Sequence, residues 1–198
     1  MNNRFPKEYF YTLVVFFLIV GPGPVVFFLN KYTVAILPGL SLVLTIYFLR
    51  REILNYSFDA LLRNKTMYSM IFRACRASIV TNAVCSIIFK PLPNLPDQLI
   101  HTYTIMPFYT ILVAPIVEEV AYRKIIFGYL STRMNFWIAA SVSSALFAIG
   151  HFSPDRLAGY FLVGLILCYF YKKSQSIVPA IASHMLLNFA SILIMTIT

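Results

Sequence analysis

Residues 104–130 read TIMPFYTILVAPIVEEVAYRKIIFGYL, and the middle of this apolar run carries the charged residues Glu118, Glu119 and Arg123. A helix that crosses a bilayer needs about 20 consecutive residues that are mostly apolar. A charged side chain at the centre of such a helix costs about 2 to 3 kcal/mol on insertion scales, so it normally marks a functional or paired group. This stretch therefore predicts a transmembrane helix with a polar site in its interior.

The composition of the chain places it outside the range of soluble domains. Of its 198 residues, 60% are hydrophobic and 12% are charged, and the mean hydropathy is +0.78. Ordinary globular domains are about half apolar and about a quarter charged. The net charge of +9 does not indicate a nucleic-acid partner, because the Lys and Arg residues lie between apolar runs, where they orient helices and contact membrane lipids.

Seven apolar stretches are long enough, or nearly so, to span a membrane. They cover residues 9–29, 32–49, 68–89, 104–130, 136–152, 157–171 and 177–197. The GPGP motif at residues 21–24 and the Pro38-Gly39 pair can break the first two stretches, so six or eight spans remain possible. We expect an all-α transmembrane helical bundle of about seven spans. It forms a single domain, 1–198, with an N-terminal scaffold in 1–110 and a catalytic core in 111–198.

The basic residues between the apolar stretches predict the orientation of the bundle. They fall on alternate connections, which the positive-inside rule places in the cytoplasm. These residues are Arg4, Lys7, Arg50, Arg51, Arg63, Lys65, Arg123, Lys124, Arg133, Lys172 and Lys173. We expect a multi-pass protein of the cell membrane with a cytoplasmic amino terminus and an outer carboxyl terminus.

The two adjacent carboxyls point in different directions on a helix. Arg123 follows Glu119 by four residues and lies on the same face, so the two side chains can pair. Glu118 is rotated by about 100° toward another neighbour. A purely structural interpretation remains open here, in which the carboxyls pair with Arg123 or with Arg73 and Arg76 of the third stretch.

Later apolar stretches carry further polar groups that suit hydrolytic chemistry. His151 ends the sequence FAIGH, and the spacing of four in HMLLN stacks His184 and Asn188 on one helix face. A carboxylate can act as a general base on water, a histidine can orient that water, and an asparagine can donate to an oxyanion. A lone histidine in a membrane helix more often serves helix packing, but this combination on different helices predicts an active site.

The same residues leave a metal site open. The zincin pattern HExxH is absent. The candidate residues could still hold a divalent ion such as zinc, although asparagine is a weak zinc ligand, which favours a metal-free site with a water-activating glutamate. The possible metal ligands are Glu118, His151, His184 and Asn188. The cofactor is therefore either a divalent metal or none.

The order and spacing of these motifs resemble the CPBP family of CAAX proteases and bacteriocin-processing proteins. The group is also called the Abi intramembrane proteases and includes the Rce1-type prenyl-protein peptidases. The family pattern is EExxxR, then FxxxH, then HxxxN, and it occupies residues 118–123, 147–151 and 184–188 here. The resemblance covers about Pro115 to Ser191.

The resemblance implies a role for each motif residue. Glu118 would be the general base, and His151 would help to activate water or bind a metal. His184 with Asn188 would stabilise the oxyanion or complete a metal site. Three further residues would support the site, with the first two forming a structural pair: Glu119, Arg123 and Phe147.

These expectations favour an intramembrane endopeptidase that hydrolyses a peptide bond of a membrane-associated protein or peptide with water activated by Glu118. Prenylated proteins, bacteriocin leaders and signalling peptides remain open as substrates. The alternative is a non-enzymatic immunity or regulatory protein, or a proton-coupled transporter, since intramembrane carboxylates and histidines also suit proton relays. Transporters usually show two matching halves, whereas the polar residues here lie in the second half.

The predicted depths of the candidate residues are uneven. At about 1.5 Å per residue, Glu118 and His184 fall about 10 to 18 Å from the cytoplasmic edge, and His151 falls at about 24 Å. Tilt, bilayer thinning or a fifth span shorter than residues 136–152 must close this gap. The depth of Glu118 and His184 also favours substrate access from the cytoplasm.

Overall fold

The computed structural model describes residues 5–54 and 64–197, so Arg4 and Arg63 of the orientation argument lie outside the described residues. Within these two ranges the chain forms eight α-helices and no strand. The helices are α1 (Lys7–Ile19), α2 (Lys31–Leu54), α3 (Lys65–Phe89), α4 (Leu95–Thr102), α5 (106–130), α6 (Phe136–Ile149), α7 (Leu157–Ser174) and α8 (Val178–Ile197). The predicted all-α fold is confirmed.

The outward faces of the helices are apolar, as a lipid environment requires. Large exposed hydrophobic side chains lie along three of them, for example Ile36, Val43, Phe72, Ile87 and Ile194. Four segments are long and apolar enough to cross a membrane: Lys7–Phe28, Lys31–Leu54, Lys65–Phe89 and Val178–Ile197. With α5, α6 and α7 packed among them, the chain is a multi-pass bundle consistent with about seven spans. The short α4 is the helix that does not span.

The first two predicted breaks have different outcomes. α1 ends at Ile19, just before the GPGP motif, and a 3₁₀ helix at Pro24–Phe28 follows it. Pro38 does not break α2, which continues as one helix from Lys31–Leu54. The second stretch is therefore longer than the predicted 32–49.

α6 and α7 approach each other closely through small residues at the centre of the bundle. The buried part of α6 includes Ala139, Ala140 and Ser144. A Cβ atom added to Gly164 of α7 would lie 2.8 Å from the Cβ atom of Ser144. Small residues let helix backbones pack tightly in membranes, where close contact drives association. The positions of the loop after α6 and of the first turns of α7 are thereby linked.

α5 is one continuous helix, residues 106–130, whose hydrogen-bond pattern changes along its length. Two π-helical segments, Tyr109–Val113 and Val120–Phe127, flank the α-helical segment Ala114–Glu119. Pro115 has no N–H for the carbonyl four residues earlier, which favours the wider spacing in the turn before it. π-helical segments are rare and frequently occur at functional sites.

Side chains from neighbouring helices donate to carbonyl groups of both π-helical segments. The amide of Asn188 on α8 donates to the carbonyl of Thr110 over 2.8 Å. The hydroxyl of Ser143 on α6 donates to the carbonyl of Tyr122 over 2.7 Å. These bonds fix the rotation of α5 relative to α6 and α8, and hence the directions in which its two carboxyls point.

The two ends of the bundle carry different polar contacts. At the end that holds the connection between α5 and α6, Nζ of Lys124 lies 2.6 Å from Oε2 of Glu52, and the hydroxyl of Tyr9 donates to the same oxygen over 3.4 Å. We call this the basic end, because the predicted cytoplasmic residues cluster there. The opposite end carries the connections 20–30, 90–105 and 150–156.

Candidate active site

Glu119 is completely buried and holds two basic side chains. Its Oε1 atom lies 3.0 Å from Nη1 of Arg123 and 2.8 Å from Nδ1 of His184. Arg123 is also fully buried, and its guanidinium carbon lies 4.2 Å from the centre of the Phe147 ring. A buried carboxylate needs such partners because burial of an unpaired charge is costly. The structure therefore ties Glu119 into the helix packing.

Glu118 points toward a cavity instead. Its side chain is 17% exposed, and its Oε2 atom lies 3.8 Å from Nε2 of His184, which is too long for a direct hydrogen bond. No ion pair joins Glu118 to Arg73 or Arg76 in the part of the chain that the structure describes. Of the two adjacent carboxyls, Glu118 is the one that a ligand in the cavity can reach.

The contact with Glu119 sets the proton positions on His184. A carboxylate can only accept a hydrogen bond, so the Nδ1 atom of His184 carries the proton. In the neutral ring the Nε2 atom then keeps its lone pair, and this is the atom turned toward Glu118. His184 is thereby held as a hydrogen-bond acceptor at the cavity wall.

His151 lies beyond the end of α6, in the turn that follows Ile149. Its Nδ1 atom donates to the carbonyl of Phe147 over 2.7 Å, which leaves the lone pair on Nε2. The next residue, Phe152, has a φ of 49°, a left-handed conformation that costs about 1 to 2 kcal/mol for a residue other than glycine. Such strain clusters at functional sites, where the surrounding structure imposes it.

The predicted fifth span, residues 136–152, was therefore too long. α6 has 14 residues and a length of about 21 Å, which is shorter than the hydrocarbon core of a bilayer. His151 consequently lines the same cavity as Glu118 and His184. Because the three residues line one cavity, the predicted gap in depth does not separate them.

The side chain of Asn188 takes part in helix packing as well as lining the cavity. One N–H of its amide donates to Thr110, while the side chain also lines the cavity. An amide has two N–H groups. One is therefore engaged in helix packing, and the expected oxyanion contact falls to the other.

Phe147 is the packing centre of the site. It is 1% exposed, and four rings lie edge-on around it with centroid distances of 4.5 to 6.1 Å. These rings belong to Tyr122, His151, Tyr160 and His184. Phe147 therefore sets the spacing between the two imidazoles.

A cavity of about 760 Å³ contains the four candidate catalytic side chains. They are Glu118, His151, His184 and Asn188. The cavity continues toward the end opposite the basic end, where residues such as Leu29, Pro91, Phe152 and Met195 line it. The sequence predicted substrate access from the cytoplasmic, basic end, whereas these lining residues lie toward the opposite end.

The donor set can be compared with that of a metal site. Each imidazole presents a lone pair on Nε2, which is the tautomer that metal-binding histidines use. However, no group of three or more His, Cys, Asp or Glu residues has the spacing of a metal site among the described residues. The arrangement of these residues does not fit a metal ion.

Sequence reasoning missed Tyr160, Arg156 and Asp97, which border the cavity near His151. The ring of Tyr160 stacks on the ring of His151 with a centroid distance of 4.0 Å. Arg156 and Asp97 form an ion pair of 2.6 Å. The ion pair could have been predicted, because opposite charges lie on two connections at the same end of the bundle. The stacking of Tyr160 could not, because a tyrosine within an apolar span does not indicate a contact with His151.

Comparison with known proteins gives three matches over the half of the chain that contains the site. The family described as "Type II CAAX prenyl endopeptidase Rce1-like" matches residues 100–190. The Bacillus subtilis (strain 168) protein named "Putative membrane peptidase YdiL" is 33% identical over 91 residues, which are 46% of this chain and 37% of the relative. The Staphylococcus aureus (strain USA300) protein named "Membrane-embedded CAAX protease MroQ" is 33% identical over 87 residues, which are 41% of this chain and 35% of the relative.

The matched region therefore spans little more than a third of the length of these relatives. No solved structure matches the chain. The motif residues on α5, α8 and the connection after α6 all fall within residues 100–190. Over residues 100–190, the chain is similar to the Rce1-like family of type II CAAX prenyl endopeptidases.

Proposed function

We propose that the protein is an intramembrane endopeptidase that cleaves a peptide bond of a membrane-associated protein or peptide. The observation that supports the proposal is that the two adjacent carboxyl groups lie in different environments. Glu119 is enclosed by Arg123 and His184, whereas Glu118 faces a cavity opposite the lone pair of His184. The family match over residues 100–190 and the similarity to the named peptidase relatives support the same reaction class.

The geometry suits activation of a water molecule between Glu118 and His184. A separation of 3.8 Å between Oε2 and Nε2 accommodates one water oxygen at about 2.8 Å from each atom. The water would donate one proton to each acceptor and direct a lone pair into the cavity. As its oxygen attacks the peptide carbonyl, one proton passes to Glu118, which later delivers it to the leaving amine.

The remaining groups would position the substrate and its transition state. The second N–H of Asn188 can donate to the developing oxyanion, a contact that counts most when it is preorganised in a site that excludes water. His151 presents the lone pair of Nε2 to the same cavity and can accept a hydrogen bond from water or from a peptide N–H. Asn188 and His151 lie on separate elements, so they can contact different sides of the scissile bond.

The lining of the cavity supports a membrane-associated substrate. Its walls are largely apolar and include segments from both halves of the chain, among them Val25 and Leu37 of the N-terminal half. A peptide extended from the end opposite the basic end would reach Glu118 without passing through the packed core around Arg123. We propose this end as the route of entry.

The direct test compares cleavage of a fluorogenic peptide library, prenylated peptides included, by the wild-type protein and by the Glu118→Gln variant. Cleavage by the wild type that the variant loses supports the peptidase. A wild-type protein that binds peptides and cleaves none would identify a binding or regulatory protein on this scaffold instead.

A further inference from the structure

A network of polar contacts joins residues 92–97, at the start of α4, to the turn that follows His151. The Arg156 guanidinium lies 2.6 Å from Oδ2 of Asp97 and donates to the carbonyl of Leu92 over 3.1 Å. Asp155 accepts from the backbone N–H of Leu92 over 2.7 Å. These partners are separated by 59 to 64 residues along the chain. The network therefore connects two segments that line the cavity.

Tyr160 connects this network to the ring of His151. Its hydroxyl faces the guanidinium of Arg156 and the amide of Asn94. Its ring is stacked on the imidazole of His151, with a centroid distance of 4.0 Å and an interplanar angle of 28°. The tyrosine is consequently held at its hydroxyl by polar groups and covers one face of His151 with its ring.

A second route holds the backbone of the same histidine. The amide of Asn94 donates to the hydroxyl of Ser153 over 2.8 Å, and that hydroxyl donates to the carbonyl of His151 over 3.1 Å. Asn94 also caps α4 by accepting from the N–H of Asp97 over 3.1 Å. The left-handed residue Phe152 lies within this route, and the fixed positions on both sides of it explain how the strain is maintained.

We propose that Tyr160 is a positioning residue for His151, and that the Asp97–Arg156 ion pair acts on the imidazole through it. We call the five residues of the two routes the histidine clamp: Asn94, Asp97, Ser153, Arg156 and Tyr160. The catalytic consequence rests on the proposed peptidase function, whereas the structural coupling does not. Because two of these residues precede α5, a segment outside the matched region 100–190 completes the site.

The clamp explains why two chain segments that carry no motif residue are joined at the mouth of the cavity. His151 follows the end of its helix, so its ring is positioned by the hydrogen bond from Nδ1 to the carbonyl of Phe147 and by the stacked ring of Tyr160. A misplacement of about 1 Å in a reacting group can reduce a rate by about 100-fold. Loss of the clamp should therefore lower kcat more than it raises KM, because the histidine and not the bulk of the cavity is displaced.

The structural coupling can be measured without any cleavage assay. The chain has three histidines, so NMR spectra of protein labelled with ¹³C,¹⁵N-histidine contain few ring signals, which His101→Gln and His184→Gln variants assign. The stacked Tyr160 ring shields His151. We expect Tyr160→Leu and Asp97→Asn each to move the His151 ring signals downfield. Unchanged His151 signals in a folded Asp97→Asn protein would overturn the proposal.

Matched variants separate positioning from general damage. Glu52→Gln removes an ion pair of the same 2.6 Å length at the basic end and should leave the His151 signals in place. Tyr160→Phe keeps the ring, removes only the hydroxyl and is expected to fold. It should show a downfield change smaller than that of Tyr160→Leu. A His151 spectrum equally altered by Glu52→Gln would contradict a specific clamp.

The kinetic arm uses the same proteins. We expect kcat to fall by about 10- to 100-fold in Asp97→Asn and Tyr160→Leu with little change in KM, and Arg156→Lys to retain more activity than Arg156→Gln. If the wild-type protein cleaves no peptide, the proposed function fails while the NMR test of the clamp still stands. Altered His151 signals with an unchanged kcat would refute the positioning role itself.

Discussion

The Nδ1 atom of His184 lies 2.8 Å from Oε1 of Glu119, across 65 residues of sequence. This contact orders the site, because it fixes the tautomer of His184 and turns Nε2 toward Glu118. The two adjacent glutamates also have different environments, because Glu119 is buried against Arg123 and His184, whereas Glu118 faces a cavity. We therefore expect substitution of Glu118 to affect mainly activity and substitution of Glu119 to affect mainly stability.

Replacement of Glu118 should remove activity and leave the fold intact. Glu118→Gln keeps the size of the side chain and removes only the capacity to accept a proton, which is worth about 10²- to 10⁴-fold in rate for a general base. Since Glu118 is partly exposed and makes no close ion pair in the described structure, the unfolding temperature should stay within a few degrees of wild type. Cleavage rates and thermal unfolding of the purified protein in detergent would be compared. Full activity in the variant would reject Glu118 as the base.

Replacement of Glu119 should instead damage the fold. Glu119→Gln leaves the fully buried Arg123 without its carboxylate, and removal of one partner from a buried ion pair typically costs about 3 to 5 kcal/mol. The substitution also removes the carboxylate that holds the proton of His184 on Nδ1. We expect a clear fall in the unfolding temperature and in expression, together with lost cleavage. An unfolding temperature equal to that of Glu118→Gln would show that the buried pair has no structural role.

The sequence was sufficient to predict the helices, the motif residues and the Glu119–Arg123 pair. The pair was predictable because residues four apart share a helix face, and the apolar stretches matched most helices closely. The contact between Glu119 and His184, the stacking of Tyr160 on His151 and the π-helical segments of α5 were not predictable. They depend on how separate helices rotate against each other, which a local pattern does not encode.

The predicted boundary of the fifth span was wrong at its carboxyl end, next to His151. Residues 150–152 continue the apolar run of α6, so hydropathy alone extended the fifth span over His151. The helix in fact ends at Ile149, because the contacts of Ser153 with the segment before α4 favour a turn there. The predicted residues of the site line one cavity, but the residues that we propose to position His151 come from two connections and from α7, and no motif marks them in the sequence.

The close packing of α6 on α7 should be sensitive to a single methyl group. Gly164→Ala places a Cβ atom 2.8 Å from Ser144, so the helices must separate, at a typical cost of about 1 to 3 kcal/mol. Because α6 leads to His151 and α7 carries Tyr160, activity should fall together with the unfolding temperature. Gly39→Ala is the matched control, since nothing lies within 4 Å of its Cβ position, and it should be tolerated. Equal effects of the two substitutions would exclude a specific packing role for Gly164.

Substrate should enter from the end opposite the basic end. In a background without the native cysteines, Met195→Cys places a thiol on the cavity wall and Lys172→Cys places one on the exposed basic end. A bulky maleimide on residue 195 should block cleavage, whereas the same adduct on residue 172 should not. With a membrane-impermeant reagent on intact cells, the predicted orientation exposes residue 195 alone. Inhibition by the adduct on residue 172 instead would place the entry route at the basic end.

Cleavage should survive removal of divalent metal ions. The Nε2 atom of His184 faces Glu118 at 3.8 Å, a separation that accommodates a water molecule. Among the described residues, no three His, Cys, Asp or Glu side chains are grouped so that they could hold a metal ion. Purified protein would be treated with EDTA and 1,10-phenanthroline, dialysed, and assayed before and after addition of zinc. We expect unchanged kcat, because the proton acceptor is the Glu118 carboxylate itself. Activity that disappears with the chelators and returns with zinc would show that the imidazoles and Glu118 rearrange around a metal, and the water-activating role would pass from the carboxylate to that ion.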